Sequence, residues 1–300
     1  MVVWAQPTNT TKRIVTTTLL GIAMLTTLFR LRTRIRTRRF WLDDVWAIVA
    51  LIFSIMLLVS MWLRTIPSSS KHTLIVTYWI LSFGFTSTLW ASRMSVIFSV
   101  VRVIPHDSRS KLRKITNCFA AIFAVFWIGL MIQVASVCGL DKSWYKLAKP
   151  QCHLGDGVAA FELTSDIFAD VTLAILPIVL TRNSLVPSAQ RKMLYVIFAA
   201  SLLTTIASIV HAILLLGPSG SLEGIAAHAE AATALIVANA GVLVTSVYRV
   251  VHKNDDIDTM PYTYNYSIHT TSKAAPSDGS ASLDGTETDD EKSIGKIDRE

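Results

Sequence analysis

The chain has 300 residues, of which 52% are hydrophobic and only 16% are charged, and its formal net charge is +7. This balance excludes an ordinary water-soluble globular protein, in which about 25% of the residues are charged. At about 20 residues per membrane-spanning helix, the chain has room for roughly seven spans, short loops and a tail. A separate soluble catalytic domain does not fit.

Seven apolar segments follow one another along the chain, separated by short polar loops. They cover about residues 14–30, 45–63, 74–101, 115–138, 157–181, 193–216 and 225–248. The first is short and rich in threonine, whose hydroxyl can bond to a preceding carbonyl within a helix. The pattern predicts an all-α polytopic membrane protein with about seven transmembrane helices.

The basic residues predict how these helices are oriented. Six arginines lie between residues 30 and 39, and further basic residues follow the third, fifth and seventh segments, whereas the alternate loops carry fewer. Because Lys and Arg concentrate in cytoplasmic loops, the N-terminus is expected outside and the C-terminus in the cytoplasm. Residues 1–253 would form the membrane domain, most simply in the plasma membrane.

The C-terminal segment differs sharply from the rest of the chain. Residues 254–300 are polar, net acidic and rich in Ser, Thr, Asp and Gly. Such a composition does not bury enough apolar surface to fold. We therefore predict a disordered acidic cytoplasmic tail.

Two of the three cysteines flank one predicted outer loop. Cys138 closes the fourth segment and Cys152 precedes the fifth, so the oxidising exterior predicts a disulfide between them. Closing a loop of this length is expected to stabilise the fold by about 3 kcal/mol. Cys118 lies inside the fourth segment and is interpreted as a packing residue. No Cys/His cluster has the spacing of metal ligands, so no metal site is predicted.

Ionisable residues within the spans should face the bundle interior and find partners there. Arg93 lies nine residues, roughly 13 Å, from the inner boundary at Arg102, and Asp170 lies roughly 18 Å from Arg182. We predict an ion pair between Arg93 and Asp170, with Asp166 as a second acceptor one turn further out. Such a pair either fixes the third helix against the fifth or acts as a switch that ligand binding breaks.

A second group of titratable residues lies nearer the outer boundary. Glu162, His211, His228 and Glu230 fall at similar depth by the same counting. Titratable groups gathered in this way predict a polar vestibule that opens to the outside and binds a ligand or proton. Together with Asp166 they are the candidate ligand-binding residues.

Several function classes are excluded by missing residues. A retinal pigment needs a lysine in its last span for the Schiff base, and the seventh segment has none. The chain also lacks a nucleophile elbow, a P-loop, HExxH and a Rossmann glycine pattern, so no catalytic residue or cofactor is predicted. No aromatic-interleaved basic platform indicates nucleic-acid binding.

Motifs in chain order resemble those of the fungal rhodopsin-domain family of seven-span membrane proteins. The quoted stretches are the arginine-rich loop followed by Trp41-Leu42-Asp43-Asp44, then Ala91-Ser92-Arg93-Met94-Ser95, Thr164-Ser165-Asp166 to Asp170, Glu230, and Ala238-Asn239. The resemblance covers roughly residues 14–252 and departs at Gly241, where many relatives are expected to have proline. It implies a seven-helix fold in which Asp43 and Asp44 begin the second span, and it suggests a receptor-like role.

Three functions remain open on these observations. The leading hypothesis is a receptor-like sensor with a small ligand in the vestibule and a cytoplasmic signalling partner. The second is a membrane-embedded enzyme such as a terpene cyclase, with Glu162, Asp166 and Glu230 as candidate general acids. The third is a transporter with the same acids as proton relays, although no inverted repeat is evident.

Overall fold

The computed structural model describes residues 6–67, 69–104, 110–147, 150–182, 188–216 and 221–251. A second unit of the chain, Asp258–Glu300, falls entirely outside these residues. The predicted disordered tail therefore lies outside the described part of the chain.

Seven long helices make up almost all of the described structure, and the predicted all-α class is confirmed. They are α1 (Asn9–Arg36), α2 (Leu42–Arg64), α3 (Lys71–Val103), α4 (Ser110–Leu140), α5 (Gly155–Arg182), α6 (Ser188–Leu216) and α7 (Ser221–Val251), with one turn of 3-10 helix at Ser143–Lys146.

Helices α1 and α3 begin before their apolar segments, and a polar side chain caps the first turn of each. The hydroxyl of Thr8 accepts a hydrogen bond from the backbone N–H of Thr11 over 3.1 Å, and Ser70 does the same for Thr73 over 3.1 Å. Such caps satisfy N–H groups that have no partner within the helix. Hydropathy alone marks only the apolar middle of each helix, so the first predicted span, 14–30, is too short at both ends.

Six of the seven helices are long and apolar enough to cross a membrane when the described residues alone are considered. The exception is α5, whose described stretch carries Glu162, Asp166 and Asp170 close together. The acids lower its hydropathy without shortening it, since α5 has 28 residues. These three carboxylates have to be accommodated inside the bundle.

The helices form a closed ring in chain order, with α1 packing against both α2 and α7. Helix α3 also contacts α5 and α7, so it occupies the centre of the bundle. Helices α1, α3, α5 and α7 begin at one end of the bundle, which we call the disulfide end because Cys138 and Cys152 are bonded there. The opposite end is called the arginine end after Arg30, Arg34 and Arg102.

Polarity is distributed in the sense opposite to that of a soluble protein. Large apolar side chains point outward, with Leu25 66% and Val125 67% exposed, whereas Arg30, Asp43 and Glu230 are buried. In hydrocarbon, apolar side chains can face the solvent while polar groups need partners inside the protein. The chain is therefore an integral membrane protein whose polar chemistry lies within the helix bundle.

Candidate functional site

Arg93 on α3 lies between two aspartates of α5, and we call Arg93, Asp166 and Asp170 the central cluster. The Nη1 atom of Arg93 is 2.5 Å from Oδ1 of Asp166, and its Nε atom is 3.4 Å from Oδ1 of Asp170. The hydroxyl of Thr205 on α6 donates to Oδ2 of Asp170 over 3.1 Å. The guanidinium also lies 5.2 Å from the ring centroid of Trp90.

The two aspartates contact Arg93 in the reverse of the predicted order, since Asp166 is the nearer acceptor. Helical side chains lean toward the N-terminus of their helix, and both α3 and α5 begin at the disulfide end. The arginine side chain is longer than that of aspartate and so extends further in this direction. Counting backbone rise alone placed Asp170 about 5 Å further from the arginine end than Arg93, and Asp166 one turn beyond that, but it did not include the length and lean of the arginine side chain, which carry the guanidinium toward Asp166.

Glu230 on α7 and His211 on α6 form a second buried polar contact. Nδ1 of His211 is 2.7 Å from Oε2 of Glu230, and the hydroxyl of Ser208 donates to Oε1 of the same carboxylate. The His211 ring lies edge-to-face against Phe85, with 5.1 Å between centroids. Glu230 also interacts electrostatically with Arg93, so this contact neighbours the central cluster.

A cavity of about 460 Å³ opens at the disulfide end and extends between the helices. Its wall contains two glutamates and two histidines, Glu162, His211, Glu223 and His228, together with the cations Arg64 and Lys71 and with Tyr78, Leu81 and Phe85 of α3. Asp166 and Glu230 do not line it, although both were candidate ligand-binding residues. The structure therefore separates the candidates into a cavity wall and a buried layer behind that wall.

The connection between α4 and α5 forms part of the mouth of the cavity, which Gln151 and Leu154 line. Cys138 and Cys152 are bonded, which confirms the predicted disulfide. The hydroxyl of Tyr78 donates to the carbonyl of Cys152 over 3.0 Å, and the indole N–H of Trp144 donates to the carbonyl of Cys138 over 3.1 Å. The disulfide joins the two ends of this connection, and the hydrogen bond from Tyr78 attaches it to α3 beside the cavity.

One carboxylate of this connection lies outside the spans. Oδ1 of Asp141 accepts a hydrogen bond from the backbone N–H of Ser143 over 2.8 Å. This bond stabilises the ionised carboxylate and lowers the pKa of Asp141. The interaction fixes the start of the 3-10 turn that carries Trp144.

At the arginine end, Arg30 binds the two aspartates that begin α2. Its Nη2 atom is 2.7 Å from Oδ2 of Asp43, its Nε atom is 3.0 Å from Oδ1 of Asp44, and its Nη1 donates to the carbonyl of Ala238 over 2.7 Å. Asp43 is also 3.4 Å from Arg102 and accepts a bond from Ser99 over 3.1 Å. We call Arg30, Arg34, Arg102, Asp43 and Asp44 the end cluster.

The turn between α1 and α2 makes the end cluster possible. Arg38 adopts a φ of 52°, and the backbone N–H groups of Arg38 and Arg39 bond to the carbonyls of Ile35 and Arg34 over 3.1 and 3.0 Å. This pairing is a Schellman motif, which usually has glycine at the position of Arg38. It reverses the chain so that Asp43 and Asp44 return to Arg30.

Sequence reasoning missed the partners of Asp43 and Asp44 because Arg30 was assigned to a polar loop. Helix α1 continues to Arg36, and Arg30 is fully buried within it. The missed signal was the spacing of Arg30 and Arg34, which places both on one helical face. Glu223 and Arg64 were also missed as cavity residues.

Within the described residues, no group of three His, Cys, Asp or Glu side chains is arranged to hold a metal ion.

Comparison with known proteins gives one match. A family model described as the fungal rhodopsin domain matches residues 29–247, which run from the end of α1 to the last turns of α7. No curated protein and no solved structure matches the chain. The matched range contains the central cluster, the end cluster and most of the cavity wall.

Proposed function

This chain belongs to the fungal rhodopsin-domain family, and from that premise we propose that it is a receptor-like membrane protein. A small molecule binds in the cavity at the disulfide end, and the helices carry the binding event to the arginine end. The observation behind this proposal is a cavity of about 460 Å³ whose wall adjoins buried charges. Pockets of about 300–1,000 Å³ are typical for small-molecule ligands.

Two residues connect the cavity wall to the buried layer behind it. Glu162 is four residues from Asp166 on α5, so the two side chains occupy one helical face. His211 lies in the wall and contacts Glu230 directly. A ligand that changes the position of either residue therefore alters the surroundings of Arg93. The coupling requires different affinities of the ligand for two helix arrangements.

The same contacts argue against the enzyme hypothesis. Of the three proposed general acids, Asp166 is paired with Arg93 and Glu230 with His211 and Ser208. Only Glu162 lies in the cavity wall. A cyclisation catalyst needs an available acid beside its substrate, and this arrangement supplies one candidate rather than three.

Orientation and location form part of the proposal. The arginine end should face the cytoplasm, because Arg32, Arg36 and Arg38 remain exposed around the end cluster. These side chains also offer a basic surface to a cytoplasmic signalling partner. We place the protein in the plasma membrane with the cavity open to the exterior, where the disulfide is stable.

A membrane-impermeant thiol reagent tests the orientation on intact cells. Asn9→Cys and Arg36→Cys, each in a Cys118→Ser background, place single free thiols at opposite ends of α1. We expect labelling at position 9 in intact cells and at position 36 only after the cells are opened. The reverse pattern contradicts the orientation, and labelling of neither position before lysis contradicts the plasma-membrane location.

The receptor role is tested by a fluorophore on Arg36→Cys, again in the Cys118→Ser background, in nanodisc-embedded protein. Pools of small amphipathic molecules are screened for those that raise the unfolding temperature. A stabilising pool should also change the emission of the fluorophore at the arginine end. Stabilisation without an emission change argues against the receptor role, and a new cyclised product in cells expressing the protein would establish the enzyme hypothesis instead.

A further inference from the structure

The wall of the cavity contains a carboxylate that no hydrogen bond satisfies. The side chain of Glu162 takes part in no hydrogen bond or ion pair among the described residues, although it shares the wall with Phe85 and interacts electrostatically with His211. A carboxylate in largely apolar surroundings is costly unless a donor or cation satisfies it. A protonated amine suits this position, because the carboxylate of Glu162 attracts a cation and so does an aromatic ring such as that of Phe85.

The mouth of the same cavity is lined by the cations Arg64 and Lys71 and by one carboxylate, Glu223 in the first turn of α7, so its charge balance is opposite to that at Glu162. Arg64 donates to the carbonyls of Leu74 and Pro150 over 2.8 and 3.1 Å, and it forms no ion pair with a described carboxylate. Lys71, which begins α3, is exposed at the mouth. Both cations are available to an anionic group of a bound molecule.

A third polar group of the wall lacks a partner. His228 is only 4% exposed, and its Nδ1 atom contacts the carbonyl of Gly224 in its own helix. Its Nε2 atom is buried and has no hydrogen-bond partner among the described residues. An orphaned buried polar atom in a cavity wall indicates a missing polar partner.

The charges lie at different depths along one elongated cavity. The wall contributed by α3 runs from Lys71 to Phe85, which corresponds to about 20 Å of helix. Leu74, Leu81 and the ring of Tyr78 make most of the wall between these two levels apolar, and Ser82 adds one hydroxyl. A complementary ligand therefore has a cationic end, an apolar body and an anionic end.

We propose that the cavity binds a small zwitterion with an aromatic or aliphatic body. Its ammonium group contacts Glu162 and its anionic group faces Arg64 and Lys71, while Nε2 of His228, which is buried in the free protein, gains a polar partner when the ring turns toward the bound molecule. This inference rests on the proposed ligand-binding function and adds the chemical class of the ligand.

Four forms of 12-aminododecanoic acid test the charge rule with a constant aliphatic body, because its extended chain separates the two charged groups by a distance comparable to that between the two charged levels of the cavity. The forms have both ends free, only the amine acetylated, only the carboxylate amidated, or both ends blocked. Binding to nanodisc-embedded protein is measured by saturation-transfer NMR at millimolar concentrations. We expect the free form to bind best and acetylation of the amine to weaken binding by about tenfold, as for loss of a hydrogen bond to a charged group.

Two variants assign the effects to residues. Glu162→Gln removes the charge and keeps the size, so acetylation should no longer weaken binding to this variant. Lys71→Gln alters an exposed residue, and it should reduce the advantage of the free carboxylate by about two- to threefold, as expected for an exposed ion pair. The unfolding temperature of each variant without a ligand shows whether the fold is retained.

The outcomes separate this inference from the proposed function. Equal binding of all four forms, or preference for the acetylated form, overturns the zwitterion rule and leaves the cavity as a binding site. Absence of binding by every form also overturns the rule. The proposed receptor function does not depend on that result, because the fluorophore experiment tests it separately. An unchanged effect of acetylation in Glu162→Gln overturns the assignment of the ammonium to Glu162.

Discussion

The central cluster and the end cluster are built from the same parts and have opposite charge balance. Each places an arginine between two aspartates, but the central cluster has two carboxylates for one guanidinium, whereas the end cluster has three guanidinium groups for two carboxylates. In the end cluster, Arg30 binds both aspartates and the carbonyl of Ala238. In the central cluster, Arg93 holds one aspartate closely and the other at 3.4 Å.

This difference suggests distinct roles for the two regions. The end cluster joins α1, α2, α3 and α7 around the fully buried Arg30, Asp43 and Asp44, with Arg34 and Arg102 partly exposed at its edge, as expected for a fixed anchor. The central cluster lies behind the cavity wall, near Glu230, and has two carboxyl groups for one guanidinium group. We therefore expect the central cluster to change its arrangement when a ligand binds in the cavity, and the end cluster to stay fixed.

The largest expected effect is that of Arg30→Gln, which leaves Asp43 and Asp44 buried without their main partner. Removing one member of a buried ion pair costs about 3–5 kcal/mol. We expect a corresponding fall in the unfolding temperature of the detergent-solubilised protein. Arg32→Gln is the matched control, since Arg32 is an exposed residue of the same helix. Equal stability of the two variants would remove the end cluster as an anchor.

The disulfide is expected to matter at the opposite end. Replacing Cys138 and Cys152 by serine should lower the free energy of unfolding by about 3 kcal/mol, because the cross-link restricts the unfolded chain. Thermal unfolding with and without reductant measures this loss. Cys118→Ser should change little, since Cys118 is free and exposed. Insensitivity of the wild-type protein to reductant would show that other contacts hold the disulfide end.

The order of acceptors in the central cluster can be tested directly. Asp166→Asn should cost about 2 kcal/mol, because it removes the closer charged contact of Arg93, and Asp170→Asn should cost about 1 kcal/mol. Adding Arg93→Gln to Asp166→Asn should cost less than the sum of the two single changes. Unfolding free energies of the four variants give the comparison. A larger loss in Asp170→Asn would restore the order predicted from the sequence.

The smallest expected effects compare one hydroxyl in each cluster. Thr205→Val removes a donor to Asp170 and should cost about 1 kcal/mol, as for one hydrogen bond. Ser99→Ala removes a donor to Asp43, which keeps Arg30 and Arg102, so a loss of about 0.5 kcal/mol is expected. The denaturation midpoints of the two variants, measured under the same conditions, show which hydroxyl contributes more to stability. A greater loss in Ser99→Ala would mean that the end cluster is the less satisfied one.

The number of helices and their approximate positions could be predicted from the sequence, because seven long apolar segments have few alternatives in a bilayer. The disulfide followed from two cysteines at the ends of one predicted loop. The ends of α1 were wrong by several residues, since threonine caps and arginines extend a helix beyond its apolar part. Because α1 was predicted to end at residue 30, the contacts of Arg30 with Asp43 and Asp44 inside the bundle were not expected.

The depth of a residue was predictable, but its contacts were not. His211 and Glu230 were expected at one level and are 2.7 Å apart. The same counting missed the preference of Arg93 for Asp166, because side-chain length and tilt move a charged group by about one turn. Membership of the cavity wall was less predictable still, since rotation about the helix axis decides which candidates face open space.

The sequence by itself determined that this protein is a helical membrane protein with buried charges, because its composition and apolar segments allow little else. Only the tertiary structure decided which charges meet. Ion pairing depends on helix rotation and side-chain reach, which hydropathy does not encode. The folded bundle therefore divided the buried acids and bases into an anchor, a central cluster and a cavity with unpaired charges at two depths.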